Sequence, residues 1–450
     1  VTQETPATLM IRAIPGVGWL AMSAPAPTRQ AARVPTLQVR THAVADPGDL
    51  LDLIPANDSV STWVRRGDGM VAWGEAARID TAGATRMLDA DAWFGRLREG
   101  ADISDDVDLP GTGLIAFGSF SFDDDAPAGG ALIVPRVVVG RRAGHAWITT
   151  IDPDGAAPLA IDGDRAPLAL PTDVTYSPGA VTPQEWKAKV ADAVARIRAG
   201  EAAKIVLARD VWATSSSPLD PRALVTRFSH AYPTTWAFAV DGLVGATPEM
   251  LIRRERRMVA SRVLAGTIRR TGDDERDLAH AAALARSSKD LEEHEFAVES
   301  LARALAPFVE SANVPEVPSV LHLPNVMHLA TDVTAVLQRG ADGARPSALR
   351  LAAALHPTAA VGGTPTADAV RLVGEIEGMD RGRYAGPVGW IGSEGDGEWC
   401  IALRCGALDP ADPRRIRLFA GCGIVAASDP GAELDETEAK LEPMRQALLG

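Results

Sequence analysis

Apolar residues recur at helical spacing after Thr182, where Trp186, Val190, Val194 and Ile197 fall on one face. Thr182-Pro183-Gln184-Glu185 supplies an N-cap, a proline at the first helical position and a capping-box glutamate, and Gly200 supplies a stop. The spacing therefore predicts a helix over 182–200. Lys204 to Trp212 is apolar and branched, which reads as a strand. Upstream, Gly113 to Phe122 and Ala131 to Gly140 are β-rich, and Trp147 to Ile151 reads as another strand. The first ~150 residues thus read as strands joined by turns, with the acidic stretches 102–108 and 123–125 as solvated loops. Residues 153–182 are rich in Pro, Asp, Gly and Ala, without periodicity, and read as a boundary or a long surface crossing. Downstream the pattern predicts a helix over 274–306, strands near 326–337, 385–392, 398–408 and 415–425, and a helix over 433–448. The expected class is α+β, or mixed α/β, with large sheets.

The chain has 450 residues, and roughly 150 residues per domain suggests about three domains. Its formal net charge of -14, from 45 basic and 59 acidic residues, argues against nucleic acid or an anionic membrane as the main partner. All the basic residues are Arg except Lys187, Lys189, Lys204, Lys289 and Lys440. No apolar run approaches the ~20 residues of a membrane span. The segment from Ile14 to Ala26 is broken by Pro15 and Gly16 and is not expected to be a signal peptide. Cys400, Cys405 and Cys422 lack a zinc spacing and read as inert buried thiols in a reducing compartment. A cytoplasmic location is expected.

Several residues could carry chemistry. Asp290 and Glu293 lie three apart, as do Glu433 and Glu436, so each pair can share a helix face. Facing each other, four carboxylates would suit Mg²⁺; apart, they are solvated helix faces. Lys440 follows Glu436 by four, which fits either a salt bridge or a cation aimed at an anionic ligand. Lys204 opens an apolar strand and could act as a base if desolvated, or simply snorkel to water. Glu249, in the turn GATPEM, could be a general acid if buried, or a solvated turn residue. Gly421 and Gly423 would let backbone N–H groups approach an anion. Neither the dinucleotide fingerprint nor the P-loop is present, and His294-Glu295 lacks the second histidine of a zinc-protease helix.

Taken in order, the blocks KIVLARDV, GATPEMLI, LAGTIRR, SSKDLEEHEF, VMHLATDV, HPTAAVGGTP, GRYAGPVGW, IALRCGAL, GCGIVAASDP and ELDETEAKLEPM resemble the chorismate-utilising enzymes. That family includes isochorismate, salicylate, anthranilate and aminodeoxychorismate synthases. The resemblance covers roughly residues 182–448. It implies a single large α/β fold of two packed, mainly antiparallel sheets with outer helices, which replaces the three-domain estimate. Residues 1–180 would be the variable half of that fold and 181–450 the chorismate-binding catalytic region. The resemblance makes Glu293 and Glu436 direct Mg²⁺ ligands, and Asp290 and Glu433 partners through water. Lys440, Gly421 and Gly423 would meet the ring carboxylate, and Tyr384 and Arg404 the enolpyruvyl carboxylate. Gly266 and Thr267 would form a substrate-contacting turn, and His328 would line the ring pocket. Lys204 matches the base that activates water and Glu249 the acid that protonates the leaving hydroxyl. Ala360 stands where the salicylate, anthranilate and aminodeoxychorismate synthases usually carry Thr. Together these imply a Mg²⁺-dependent isochorismate synthase acting on chorismate; no motif demands a partner chain, so a monomer is expected. The alternatives are a salicylate synthase and a non-catalytic chorismate-binding relative.

Overall fold

A computed structural model describes residues 35–449, apart from 57–58, 157–166, 325, 341–342 and the side chains of 289 and 293. The segment from Ile14 to Ala26 lies outside the described residues. The helix Pro183–Arg198 starts as its sequence predicts. The Thr182 hydroxyl accepts from the Glu185 N–H at 3.3 Å, and the Glu185 carboxylate accepts from the Thr182 N–H at 2.8 Å. Its apolar stripe is buried, and the Trp186 indole N–H donates to the Ala208 carbonyl at 3.2 Å. That bond docks the helix on the strand Lys204–Thr214.

Among the described residues the strands form one sheet of 13 and one of 10. Leu37–Val44 pairs in parallel with Asp102–Asp105, and every other pairing among the described residues is antiparallel. Strands from before and after residue 180 interleave: Val60–Arg65 pairs with Trp236–Val240, and Ile115–Phe120 with Pro387–Gly392. Polar bridges join the sheets, among them Trp63 to Glu398 and Arg142 to Glu255. Pro221–Ala231 and Pro430–Leu448 cover the larger sheet, while Ser288–Leu305 and Ala348–Leu355 cover the smaller. Phe228 and Leu441 are fully buried under these helices, and each such side chain contributes roughly 1.5–3 kcal/mol relative to exposure. No helix among the described residues is long and apolar enough to cross a membrane.

Two strand pairs change sheets side by side. Leu243–Thr247 belongs to the larger sheet and Met250–Glu255 to the smaller, with Pro248 and Glu249 between them. Its neighbour does the reverse: Gly397–Ile401 lies in the smaller sheet and Cys405–Leu408 in the larger. The crossings are stitched by Ile401 N–H to Glu249 O at 3.0 Å and Ala246 N–H to Arg404 O at 3.1 Å. Gly245 makes that approach possible, since a Cβ there would stand 2.4 Å from Cys405 Cβ and 2.7 Å from Arg404 O.

This crossing corrects the single strand expected over 398–408. Leu403 and Arg404 interrupt it, and Arg404 adopts the left-handed φ of 49°. The helix expected over 274–306 is two, Asp274–Leu284 and Ser288–Leu305, because Ser287 caps the second from the Asp290 N–H. Asp102–Asp105 is an edge strand rather than a loop. Four helices were not anticipated: Arg86–Gly100, Pro221–Ala231, Ala348–Leu355 and Thr366–Glu377. Gly245→Ala should force the two crossings apart and cost about 1–3 kcal/mol, read as a lower urea midpoint at unchanged m-value.

Candidate active site

A cavity with about 1070 Å³ of empty space, its mouth included, opens beside these crossings. Lys204, Glu249, Gly266, Thr267, Asp290, His328, Ala360, Tyr384, Arg404, Gly421, Gly423, Glu433, Glu436 and Lys440 all line it. The Glu293 side chain lies outside the described residues. His294 does not line the cavity among the described residues; it is buried, with Nε2 2.7 Å from the Thr331 hydroxyl.

Lys204 is buried at the start of its strand, between Gly363–Thr364 and Arg415–Ile424. Glycines let these neighbours close in. A Cβ at Gly363 would stand 2.3 Å from the Lys204 carbonyl, and one at Gly421 would stand 2.7 Å from the Leu207 carbonyl. Behind the strand, the buried Arg381 guanidinium donates to the carbonyls of Val206 and Val361 and pairs with Glu377. Glu377 in turn accepts from the Ala208 N–H. Arg381 also lines the cavity. Nothing in its spacing marked it out; it stands just before the block that holds Tyr384.

Glu249 is 5% exposed, and burial pushes its carboxyl up to about 8 against the opposing pull of Lys204, Lys440 and Arg404. It is therefore mostly protonated at neutral pH. The strand Met258–Arg269 bulges at Gly266 (φ 75°), which brings Thr267 opposite His328. The Arg404 guanidinium lies 3.4 Å from His328 Nε2. A guanidinium can only donate, so Nε2 accepts and the ring proton sits on Nδ1, 3.0 Å from the Thr267 hydroxyl. Burial, reinforced by Arg404 and Lys440, holds His328 well below its ordinary value, so the ring is neutral. Tyr384 stacks on Phe419 with centroids 5.0 Å apart, and burial raises its phenol.

The helix Pro430–Leu448 is capped by the Asp429 carboxylate, which accepts from Gly431 and Ala432 N–H. It presents Glu433, Glu436 and Lys440 to the cavity. Lys440 Nζ stands 2.7 Å from Glu436 and donates to the Gly421 carbonyl at 2.9 Å, so the i,i+4 salt bridge and the cavity-facing cation are both present. Asp290, Glu433 and Glu436 offer hard oxygen donors of the kind Mg²⁺ prefers. No three His, Cys, Asp or Glu converge tightly on one point among the described residues.

The profile of the chorismate binding enzyme family matches residues 40–449. The chain belongs to the chorismate-binding enzymes. A Mycobacterium tuberculosis protein provisionally named isochorismate synthase MenF is 38% identical over 351 residues, covering 75% of this chain and 87% of that one. The Bacillus subtilis isochorismate synthase DhbC is 39% identical over 277 residues, covering 59% and 68%. The solved structure of MenF, the menaquinone-specific isochorismate synthase of Escherichia coli, superposes with a TM-score of 0.77 at 25% identity, covering 92% of this chain and 95% of that one. The two antiparallel sheets and outer helices are thus those of the chorismate-binding fold.

The raised Glu249 value links to stability. The folded chain holds this proton up to about pH 8, whereas a free glutamate carboxyl loses its proton near 4.5. The unfolded chain therefore binds fewer protons between those limits, and stability falls as pH rises through that window. Glu249→Gln removes this term. Its unfolding midpoint relative to wild type should climb from pH 5 to pH 8, measured by chemical denaturation; a flat difference contradicts the buried proton.

Proposed function

We propose that the chain is an isochorismate synthase that converts chorismate to isochorismate. The observation that carries this reading is the protonated Glu249 in the same cavity as Lys204, a buried acid and a candidate base within one site. Lys204, as the neutral amine, takes a proton from water as the water oxygen bonds to ring carbon 2. The two ring double bonds shift, the bond from carbon 4 to its hydroxyl breaks, and Glu249 gives its proton to that hydroxyl. One water enters and one leaves, so the product is an isomer. Solvent then returns the proton from Lys204 to Glu249. Arg404 and Tyr384 hold the enolpyruvyl carboxylate, with the guanidinium suited to it by its planar fork. The neutral His328 and Thr267 line the ring, with Gly266 and Ala360 giving it room.

Asp290, Glu433, Glu436 and, by resemblance, Glu293 would hold Mg²⁺. Bound there, the metal supplies positive charge to fix the ring carboxylate. Gly421 and Gly423 bring backbone close to the same end. Both a MenF-type and a DhbC-type relative match at similar identity, so the product is read as serving menaquinone or siderophore synthesis.

Chromatography of chorismate turnover should give isochorismate with Mg²⁺ and none after EDTA, without stoichiometric pyruvate. Pyruvate in proportion to chorismate consumed would instead make the chain a salicylate synthase. Lys204→Ala should lose turnover by a factor of about 10³ yet keep the wild-type Kd for chorismate with Mg²⁺ in calorimetry. Turnover near wild type would remove Lys204 from the role of base.

A further inference from the structure

Lys440 has two acceptors of different kinds. The Gly421 carbonyl is fixed in the strand Arg415–Ile424, and the Glu436 carboxylate is one turn back on its own helix. Glu436 shares the cavity wall with Asp290 and Glu433, the other described carboxylates proposed for the metal. Lys440 lines the same cavity as Glu249 and His328. A lysine ammonium is compact, with three donors on a flexible stem. Pivoting on Gly421 O, it can exchange Glu436 for an anionic group of a ligand without leaving the cavity. A divalent cation on Glu436 would compete for the same carboxylate, because two cations within contact distance of one carboxylate repel each other.

We infer that Lys440 is an exchangeable counter-cation: it neutralises Glu436 until a divalent metal takes that carboxylate, and the ammonium then passes to the carboxylate of the substrate. This rests on the Mg²⁺ and chorismate reading above. It makes metal and substrate binding mutually favourable, since each removes a competitor of the other, and such coupling is reciprocal. Lys440 is then more than a contact to the substrate; it is the link that favours both ligands arriving together.

The test is a calorimetric titration of the full chain with Mg²⁺ alone, comparing wild type with Lys440→Gln, Lys440→Met and Lys440→Arg. The two neutral variants should bind Mg²⁺ about tenfold more tightly, while Lys440→Arg, which keeps the charge, stays near wild type. Having two neutral variants guards against one that does not fold. Equal or weaker Mg²⁺ binding by the neutral variants overturns the exchange and leaves the metal site standing. Tighter binding by Lys440→Arg overturns its basis in charge. No Mg²⁺ binding by any of the four proteins overturns the exchange together with the proposed metal site. In a Lys204→Ala background, chorismate should tighten Mg²⁺ binding about fivefold or more, and adding Lys440→Gln should abolish that gain. A gain that persists overturns the coupling.

Discussion

The Glu249 carboxyl sits where paired strands pass from one sheet to the other, and the dryness of that passage sets what it can do. A carboxyl in water is ionised at neutral pH and has no proton to give. Here Glu249 is only 5% exposed beside the crossing, where Gly245 brings the strands into contact and the Glu249 carbonyl is bonded to the Ile401 N–H. Three cations pull the other way, and burial outweighs them. Loosening the crossing would admit water and lower the acid toward its ordinary value. The fold thus acts on the chemistry through solvent exclusion more than through any direct bond to the carboxyl.

The same crossing positions Arg404, and Arg404 fixes the tautomer of His328, which burial keeps neutral. One guanidinium therefore offers charge to a ligand and fixes the proton of a neighbouring ring on the side of Thr267. Another part of the wall is held by the buried Arg381–Glu377 pair, which ties the strand of Lys204 to the loop of Ala360 through Val206 and Val361. A buried pair of this kind costs desolvation, and the guanidinium's fixed fork, held by Glu377 and two carbonyls, gives definition of position in return. The net charge of -14 is no obstacle to a small dianion, because the cations that would meet it are concentrated in one cavity.

Much of this was legible in the sequence where local rules apply. Thr182 and Glu185 announce their capping box, and the ordered blocks single out Lys204, Glu249, His328 and Arg404, which lie far apart in the chain and line one cavity. What was illegible depends on long-range pairing. The run from 398 to 408 is apolar apart from Glu398 and Arg404, and such runs do not reveal that a chain changes sheets within them. The 274–306 helix looked continuous because Arg286 and Ser287 do not break apolar periodicity, while the cap at Ser287 does. Arg381 looks like any Arg until Glu377, Val206 and Val361 are placed around it. The state of Glu249 also could not be read, since burial of a turn residue is a tertiary fact.

The distribution of lysine and arginine follows from what each cation must do. Arg404 and Arg381 hold fixed geometry, which the planar guanidinium does well and which never requires it to lose a proton. A base must give up its proton between turnovers, and an exchangeable counter-cation must pivot between acceptors; an ammonium can do both. Lys204 and Lys440 are the residues proposed for those two places, in a chain that otherwise favours Arg. Lys189 shows that scarcity alone does not select function, because it caps a helix by donating to the Ile376 carbonyl at 2.6 Å. Placement in the cavity, beside carboxylates that need a partner which can move, is what separates Lys440 from Lys189.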